Sequence, residues 1–151
     1  MASTIRVIFF DLGDTLVSVP KIWLPGAQAL LAALKQGGVR LGIISNTTGL
    51  LNRRAILDLL PDDFDINQFD SSLVLFSSEV GIDKPDKGIF EAAVVTANVP
   101  ASQCLYCSEN IVETLVAQHV GMHSIRVQTS PNSDLVSIEQ ALSTFQSLIS
   151  P

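Results

Sequence analysis

Short apolar runs alternate with longer segments of helical period along this chain. The short runs are rich in Val, Ile and Phe and have the length of buried strands. The longer segments place apolar residues three or four positions apart, as a helix with one buried face requires. The predicted strands are Arg6–Phe10, Leu41–Ser45, Leu73–Phe76, Cys104–Cys107 and His123–Val127. The predicted helices are Pro25–Gln36, Leu50–Leu60, Pro85–Asn98, Ile111–Val120 and Val136–Ile149. This alternation predicts a three-layer α/β fold, with helices on both faces of a parallel sheet.

Length and composition limit the class of protein. A chain of 151 residues predicts a single domain, residues 1–151. An apolar fraction of 47% against 16% charged residues is enough to build a hydrophobic core. The net charge of −6 provides no basic surface for a phosphate backbone or for anionic lipids. We therefore expect neither a nucleic-acid partner nor a membrane partner.

The sequence also predicts where the protein resides. No apolar run approaches the roughly 20 residues that a bilayer-spanning helix needs. The first residues carry a charge at Arg6 inside a short apolar stretch and lack the long apolar core of a secretory signal. These features predict a cytoplasmic protein.

The two cysteines, Cys104 and Cys107, form a C-x-x-C pair. This spacing occurs in redox pairs and in halves of zinc sites. Residues three apart on a strand point to opposite faces, so the two sulfurs should diverge. The sequence offers no second pair of ligands to complete a zinc site. We predict that both are ordinary core cysteines.

Chemically active residues follow the predicted strands. In chain order they are Asp11, Ser45, Asn46, Lys84, Glu109 and Glu113. Because the carboxyl ends of parallel strands meet at one edge of the sheet, we expect these side chains to converge. Carboxylates that converge repel one another unless a cation lies among them, and an oxygen-only ligand set suits magnesium.

Such an arrangement would bind and attack a phosphoryl group. A magnesium ion and Lys84 would together attract its oxygens, and Asp11 could attack its phosphorus. Pro85 keeps Lys84 extended and is expected to begin a helix whose N-terminal amides favour an anion. The sequence therefore predicts a magnesium-dependent site for phosphate chemistry.

Four motifs in this order resemble the haloacid dehalogenase (HAD) superfamily of aspartate-nucleophile hydrolases. They are Asp11 with Thr15, Ser45 with Asn46, Gly81-x-x-Lys84-Pro85-Asp86, and Glu109 with Glu113 before Gly121-Met122. The resemblance covers about Ile5 to Ile125. It implies a Rossmann-like sheet whose strands, numbered along the chain, lie in the order 5-4-1-2-3.

The resemblance also implies a role for each motif residue. Asp11 would attack phosphorus and form an aspartyl-phosphate that water then hydrolyses. The remaining residues would bind ligands: Ser45, the Asn46 amide and Lys84 the phosphoryl oxygens, and Asp11, the Gly13 carbonyl, Glu109 and Glu113 the magnesium ion.

Three departures from the family pattern change these expectations. Gly13 occupies the position where phosphatases carry a second aspartate, the acid and base that helps the leaving group depart. Asp14, one residue later, is either a substitute acid or a residue of the turn. Without that acid we expect weak activity, best on aryl or acyl phosphates, whose leaving groups need no proton. The two glutamates stand where aspartates are usual, and Ser108 stands where glycine is common.

These departures leave two alternatives to a phosphatase. One is a catalytically impaired module that keeps the fold and binds or regulates. The other is dehalogenase-type chemistry, because Ser45-Asn46 and Ser108-Glu109-Asn110 are similar to the serine and asparagine pattern of metal-independent dehalogenases. Those enzymes enclose their substrate with a helical cap, for which this chain has no room.

The spacing of the motifs predicts an open, capless site. Only about 30 residues separate Thr15 from Ser45, enough for a flap and one helix. The flap would be Val17–Leu24, whose Trp23 either contacts substrate or packs on the protein. An open site suits a phosphorylated small molecule or a phosphoprotein, or an oligomer in which a neighbouring chain covers the site.

Overall fold

A computed structural model describes residues 5–18 and 20–127. The predicted helix Val136–Ile149 lies outside the described residues. The strands are β1 (Val7–Phe10), β2 (Val17–Ser18), β3 (Ile22–Trp23), β4 (Arg40–Ser45), β5 (Val74–Phe76), β6 (Cys104–Ser108) and β7 (His123–Arg126). The α-helices are α1 (Ala27–Gln36), α2 (Arg53–Leu57), α3 (Ser77–Val80), α4 (Lys87–Ala97) and α5 (Ile111–Val120). Short 3-10 helices cover Ile66–Gln68, Ser71–Leu73 and Ala101–Gln103.

The main sheet is parallel, with strand order β5-β4-β1-β6-β7. This confirms the predicted order, because β1, β4, β5, β6 and β7 are the five strands expected from the apolar runs. On the central strand β1, Phe10 pairs with Ile43 of β4 and with Cys107 of β6. The chain therefore leaves β1, β4 and β6 at the same edge of the sheet.

Alternate residues of the central strand contribute to two different cores. Ile8 and Phe10 pack with the apolar face of α1, whereas Val7 and Phe9 pack with α4 and α5. Helices thus cover both faces of the sheet, as predicted. Cys104 and Cys107 lie in opposite cores, and both are buried free thiols. Their divergence agrees with the prediction of core cysteines.

The bounds of two helices differ from the prediction. Helix α4 begins at Lys87 and not at Pro85, because the side chain of Asp86 caps it by accepting a hydrogen bond from the Gly88 amide at 2.8 Å. The Lys84–Pro85 peptide, which is cis, lies before this cap. Helix α2 has only five residues where eleven were expected.

The face that α5 buries was also predicted wrongly in part. The apolar pattern of residues 111–120 predicts that Leu115 and Val116 point inward, but Leu115 is 56% exposed. The buried positions are Glu113, Thr114 and Ala117. Apolar residues occur all round this helix, so its period alone does not select the face that meets the sheet.

The segment between β1 and β4 is short. Its described residues form the antiparallel hairpin β2-β3 and helix α1. Trp23 stacks on Phe64 with ring centroids 5.3 Å apart and donates a hydrogen bond from its indole to Asp63 at 2.7 Å. Trp23 therefore packs on the protein, one of the two roles expected for it. Within the described ranges, no helix has the length and apolar character to cross a membrane.

Candidate active site

Asp11 lies directly after β1, at the edge where the central strands end. Its side chain is only 12% exposed, and its backbone amide continues the strand ladder to Cys107. The Oδ1 atom accepts a hydrogen bond from the Leu12 amide at 2.8 Å. Burial raises the pKa of Asp11, and the positive charge of Lys84 opposes that rise. The carboxylate is thus held rigidly and partly stripped of water.

Lys84 connects Asp11 to a second carboxylate. Its buried ammonium lies 3.0 Å from Asp11 Oδ1 and 2.8 Å from Glu113 Oε1. Asn46 fixes the Lys84 backbone, because its side chain accepts from the Lys84 amide at 2.7 Å and donates to the Lys84 carbonyl at 3.0 Å. A buried ammonium between two carboxylates is a paired charge, which is the condition for burying it.

Tyr106 belongs to this network and was missed by sequence analysis. Its fully buried hydroxyl donates to Glu113 at 2.7 Å and accepts from the Lys84 ammonium at 3.0 Å. Burial and the nearby acids hold the pKa of Tyr106 well above its usual value, so the hydroxyl keeps its proton. The ring contacts Phe90 edge-on, with centroids 5.0 Å apart. One signal was available: Tyr106 lies two residues before Ser108, on the same face of β6.

The first turn of α5 positions Glu113. Asn110 caps this helix by accepting hydrogen bonds from the amides of Val112 and Glu113. Ser108 lies behind it, with its hydroxyl 3.4 Å from both Asp11 Oδ2 and Glu113 Oε1. The capped turn therefore directs Glu113 toward Lys84.

Glu109 and Asp14 form the acidic side of the site. Burial raises the pKa of Glu109, and the negative charges of Asp14, Asp11 and Glu113 raise it further. The Glu109 amide donates to Thr15 Oγ1 at 3.1 Å, which ties the end of β6 to the turn after β1. Several acids thus share this side of the site.

Asp14 lies in the turn that follows β1. Its φ of 61° is left-handed, a conformation that aspartate tolerates better than most residues. Its amide donates to the Val17 carbonyl at 2.8 Å. The exposed side chain lies close enough to Glu109 to raise the pKa of that residue. Asp14 therefore stands at the rim of the site and also belongs to the turn.

Ser45 ends β4 on the same edge of the sheet and is buried. The loop after it is fixed to the beginning of α3, because the Thr47 amide donates to Ser77 at 2.7 Å and the Ser78 amide donates to Thr47 Oγ1 at 3.0 Å. Ser45, Asn46 and Thr47 line a cavity that Gly13 also lines. The second predicted motif is therefore held beside the first.

The acidic side chains meet the chemical requirements of magnesium only in part. Among residues 5–18 and 20–127, no three His, Cys, Asp or Glu side chains have the arrangement of a metal site. Magnesium, however, commonly uses one or two carboxylates, together with waters and substrate phosphate. Burial and the like charges around Glu109 raise its pKa, whereas Glu113 is already paired with Lys84. Asp11 and Glu109 therefore form the pair with the donor chemistry for such a cation.

The family of the chain follows from its sequence. Residues 20–121 match the model of the haloacid dehalogenase-like hydrolases. The match covers more than half of the chain, and the fold and the order of the site residues agree with it. This chain belongs to the haloacid dehalogenase-like hydrolase family.

Two curated proteins are similar to it in sequence. Glyceraldehyde 3-phosphate phosphatase of Pyrococcus abyssi is 33% identical over 102 residues, which is 67% of this chain and 40% of that protein. Haloacid dehalogenase-like hydrolase domain-containing protein 3 of Xenopus laevis is 32% identical over 110 residues, which is 71% of this chain and 42% of that protein. The chain thus spans about two fifths of the length of these relatives.

Solved structures share the fold. A Corynebacterium glutamicum protein is 26% identical, with a TM-score of 0.67 and coverage of 92% of this chain and 96% of that one. A HAD family enzyme from Bacteroides thetaiotaomicron, solved with magnesium and inorganic phosphate, has a TM-score of 0.69 at 14% identity and covers 83% and 95% of the two chains. At that identity the second likeness concerns the fold alone.

Proposed function

We propose that this chain is a magnesium-dependent phosphatase that hydrolyses small phosphate monoesters or acyl phosphates. The observation that carries this proposal is the buried group of Asp11, Lys84 and Glu113 at the carboxyl edge of the sheet. The phosphatase from P. abyssi and the magnesium and phosphate complex from B. thetaiotaomicron support it as relatives of the same family or fold.

In the proposed reaction, Asp11 is the nucleophile. Its Oδ1 atom is held by the Leu12 amide and the Lys84 ammonium, so Oδ2 is the less constrained oxygen. A carboxylate oxygen attacks phosphorus, the bond to the leaving-group oxygen breaks, and an aspartyl-phosphate forms. Water then attacks phosphorus, which releases inorganic phosphate and restores the carboxylate. The Lys84 charge and the groups at Ser45 and Asn46 would hold the phosphoryl oxygens.

Magnesium would be held by Asp11, the Gly13 carbonyl and Glu109, with Glu113 acting through water or through Lys84. When bound, it supplies positive charge to the phosphoryl oxygens. The carboxylates of Asp11, Asp14 and Glu109 provide the negative charge that would attract the ion. Burial, and then the like charges around it, raise the pKa of Glu109.

The proposed phosphatase should prefer leaving groups that are stable as anions. Gly13 provides no acid, and a Cβ placed there would meet no heavy atom within 4 Å. Asp14 projects from a different point of the turn. General acid catalysis contributes about 10²–10⁴-fold where it is present. Acetyl phosphate and aryl phosphates should therefore be hydrolysed faster than alkyl phosphates.

The test uses acetyl phosphate and p-nitrophenyl phosphate, with magnesium or with a chelator, on the protein and on Asp11→Asn. We expect turnover that needs magnesium and disappears in Asp11→Asn while its circular dichroism spectrum is unchanged. Turnover that survives both the chelator and the substitution would refute the proposal.

The second candidate function is an impaired module that binds phosphate or metal without turnover. Gly13 is the observation that favours it. Metal binding by calorimetry without turnover of either substrate would support this candidate over the phosphatase. A Gly13→Asp variant adds a further comparison, because a restored acid should raise activity on alkyl phosphates. A phosphoprotein substrate, an oligomer and a cytoplasmic location remain predictions.

A further inference from the structure

A cavity of about 140 Å³ opens beside the candidate active site. It lies between the turn after β1, the loop after β4 and helix α2. Its polar lining comes from Ser45, Asn46 and Thr47, and Gly13 also lines it. The rest of its wall is apolar and consists of Leu12, Val17, Leu50, Ile56, Leu59 and Leu60.

We infer that this cavity binds the leaving group of the substrate, and that the leaving group is a single aromatic ring. The inference rests on the proposed phosphatase function and specifies its substrate class as aryl phosphates. Ser45 and Asn46 of the polar lining are also among the groups proposed to hold phosphate. A substrate with its phosphoryl group there would direct its organic part along the apolar wall.

The size of the cavity limits what can occupy it. A cavity of roughly 150 Å³ lined by apolar side chains is large enough to bind benzene. The present cavity is close to that volume, so it has room for one six-membered ring. The apolar wall has no hydrogen-bonding side chains for a sugar or a polyol, whose hydroxyls would lose their hydrogen bonds to water on entering.

The chemistry of the leaving group is a separate argument for aryl phosphates. Attack of an Asp11 oxygen on phosphorus breaks the P–O bond to the ring oxygen, and the electron pair leaves on that oxygen as a phenolate. A phenol has a pKa of about 10, as the tyrosine side chain does. The phenolate can therefore depart without an acid at Gly13 and later take a proton from water. Water then hydrolyses the aspartyl-phosphate, which releases inorganic phosphate and restores the Asp11 carboxylate.

Gly13 matters in two ways, because it lines the cavity and it stands where phosphatases of the family carry an acid. An aspartate there would add a charge to a residue that lines the cavity, and its Cβ would meet no heavy atom within 4 Å apart from its chain neighbours. The glycine thus removes the acid and leaves that edge of the cavity without a charged group. Both consequences favour an apolar leaving group that needs no proton.

The test compares phenyl phosphate with acetyl phosphate in two matched variants. Leu50→Trp fills the cavity, and Leu51→Trp places the same side chain one residue later, at a position that is 96% exposed. The readout is the ratio of kcat/KM for phenyl phosphate to that for acetyl phosphate. We expect this ratio to fall about 10- to 100-fold in Leu50→Trp, because the ring loses its buried position. The ratio should stay unchanged in Leu51→Trp.

A smaller side chain at Leu50 should allow a larger leaving group to bind. Leu50→Ala enlarges the cavity, so the ratio of kcat/KM for 1-naphthyl phosphate to that for phenyl phosphate should rise. An unchanged phenyl to acetyl ratio in Leu50→Trp, with both substrates turned over, would overturn the inference and leave the phosphatase proposal intact.

A binding measurement separates this inference from failure of the proposed function. If neither substrate is turned over, the phosphatase proposal fails, and calorimetry with phenylphosphonate and methylphosphonate still tests the cavity. Tighter binding of phenylphosphonate that is lost in Leu50→Trp and kept in Leu51→Trp supports an aromatic subsite. Equal binding of the two phosphonates overturns it.

Discussion

Tyr106→Phe is the substitution that most directly tests the buried network. It removes one oxygen and keeps the ring, so the edge-on contact with Phe90 remains. The lost hydroxyl makes two hydrogen bonds to charged groups, at 2.7 Å to Glu113 and at 3.0 Å to Lys84. Tyr106 is fully buried, so water does not readily replace the hydroxyl.

The expected cost follows from these contacts. A hydrogen bond to a charged group contributes about 1.5–3 kcal/mol. In the variant, Lys84 still forms ion pairs with Glu113 at 2.8 Å and with Asp11 at 3.0 Å, so neither Lys84 nor Glu113 becomes an unpaired buried charge. We therefore expect the free energy of unfolding to fall by about 2–3 kcal/mol, less than the sum of two full bonds. The melting temperature should fall by roughly 5–10 °C.

Urea unfolding can be followed through Trp23, the only tryptophan of the chain. Thr114→Val is the matched control, because its hydroxyl is also buried but donates to a neutral carbonyl, that of Ile111, at 2.7 Å. We expect the control to lose about 1 kcal/mol. A loss below about 0.5 kcal/mol in Tyr106→Phe, or a loss no larger than that of the control, would refute the assignment of Tyr106 to the charged network.

Three further predictions concern stability and reactivity. Gly42→Ala should lower the free energy of unfolding by about 1–3 kcal/mol, because the new Cβ would lie 2.6 Å from a ring carbon and 2.8 Å from a carbonyl oxygen. Urea titrations should show a much smaller loss in Gly13→Ala, where nothing lies within 4 Å. Asp70 accepts hydrogen bonds from a serine and an arginine, which hold its pKa below the usual 3.8. Its stabilisation is therefore complete above that pH and fades as the pH falls through the lowered pKa, so Asp70→Asn should cost about 1 kcal/mol at pH 7 and progressively less as the pH falls below 3.8. Burial raises the pKa of Cys104 to about 11 and raises that of Cys107 further, so iodoacetamide at pH 8 should label neither thiol until urea unfolds the chain. Labelling in native buffer, counted by mass spectrometry, would contradict the burial of both.

The sheet was predictable because its strands are buried on both faces. Such strands are continuous apolar runs, and five of them separated by helical segments indicate a parallel sheet. Their lateral order came from the resemblance to a family and not from the runs themselves. The structure confirms both, with β1 between β4 and β6.

Helix faces and helix starts were less predictable because neighbours decide them. Leu115 is apolar, yet α5 turns it outward and buries the carboxylate of Glu113. The cost of burying that charge is offset by Lys84 and Tyr106, which come from other segments. Pro85 likewise favours a helix start by its own geometry, but the cap at Asp86 sets the start of α4 two residues later.

The sequence predicts which residues share the edge of the sheet, but not which of them form ion pairs and hydrogen bonds with one another. Residues that follow strands share one edge of the sheet, so Asp11, Ser45 and Lys84 could be grouped from sequence alone. The role of Tyr106 was missed, since an aromatic residue inside an apolar run indicates a core position. Its place two residues before Ser108 was the one signal that pointed to the site. Its hydroxyl meets charges only because Lys84 and Glu113 reach it from segments 22 and 7 residues away.

The pairing also separates two glutamates that the sequence presents as equivalent. Glu113 lies in the capped first turn of α5 and is neutralised by Lys84, whereas Glu109 precedes the helix and remains among acids. The three carboxylates of Asp11, Glu109 and Glu113 outnumber the two nearby cations, Lys84 and Arg126, so the site keeps an excess of negative charge. A phosphoryl group would add more. We therefore expect a phosphorylated substrate to bind strongly only with a further cation, and this charge balance, rather than ligand geometry, is the physical reason to expect magnesium.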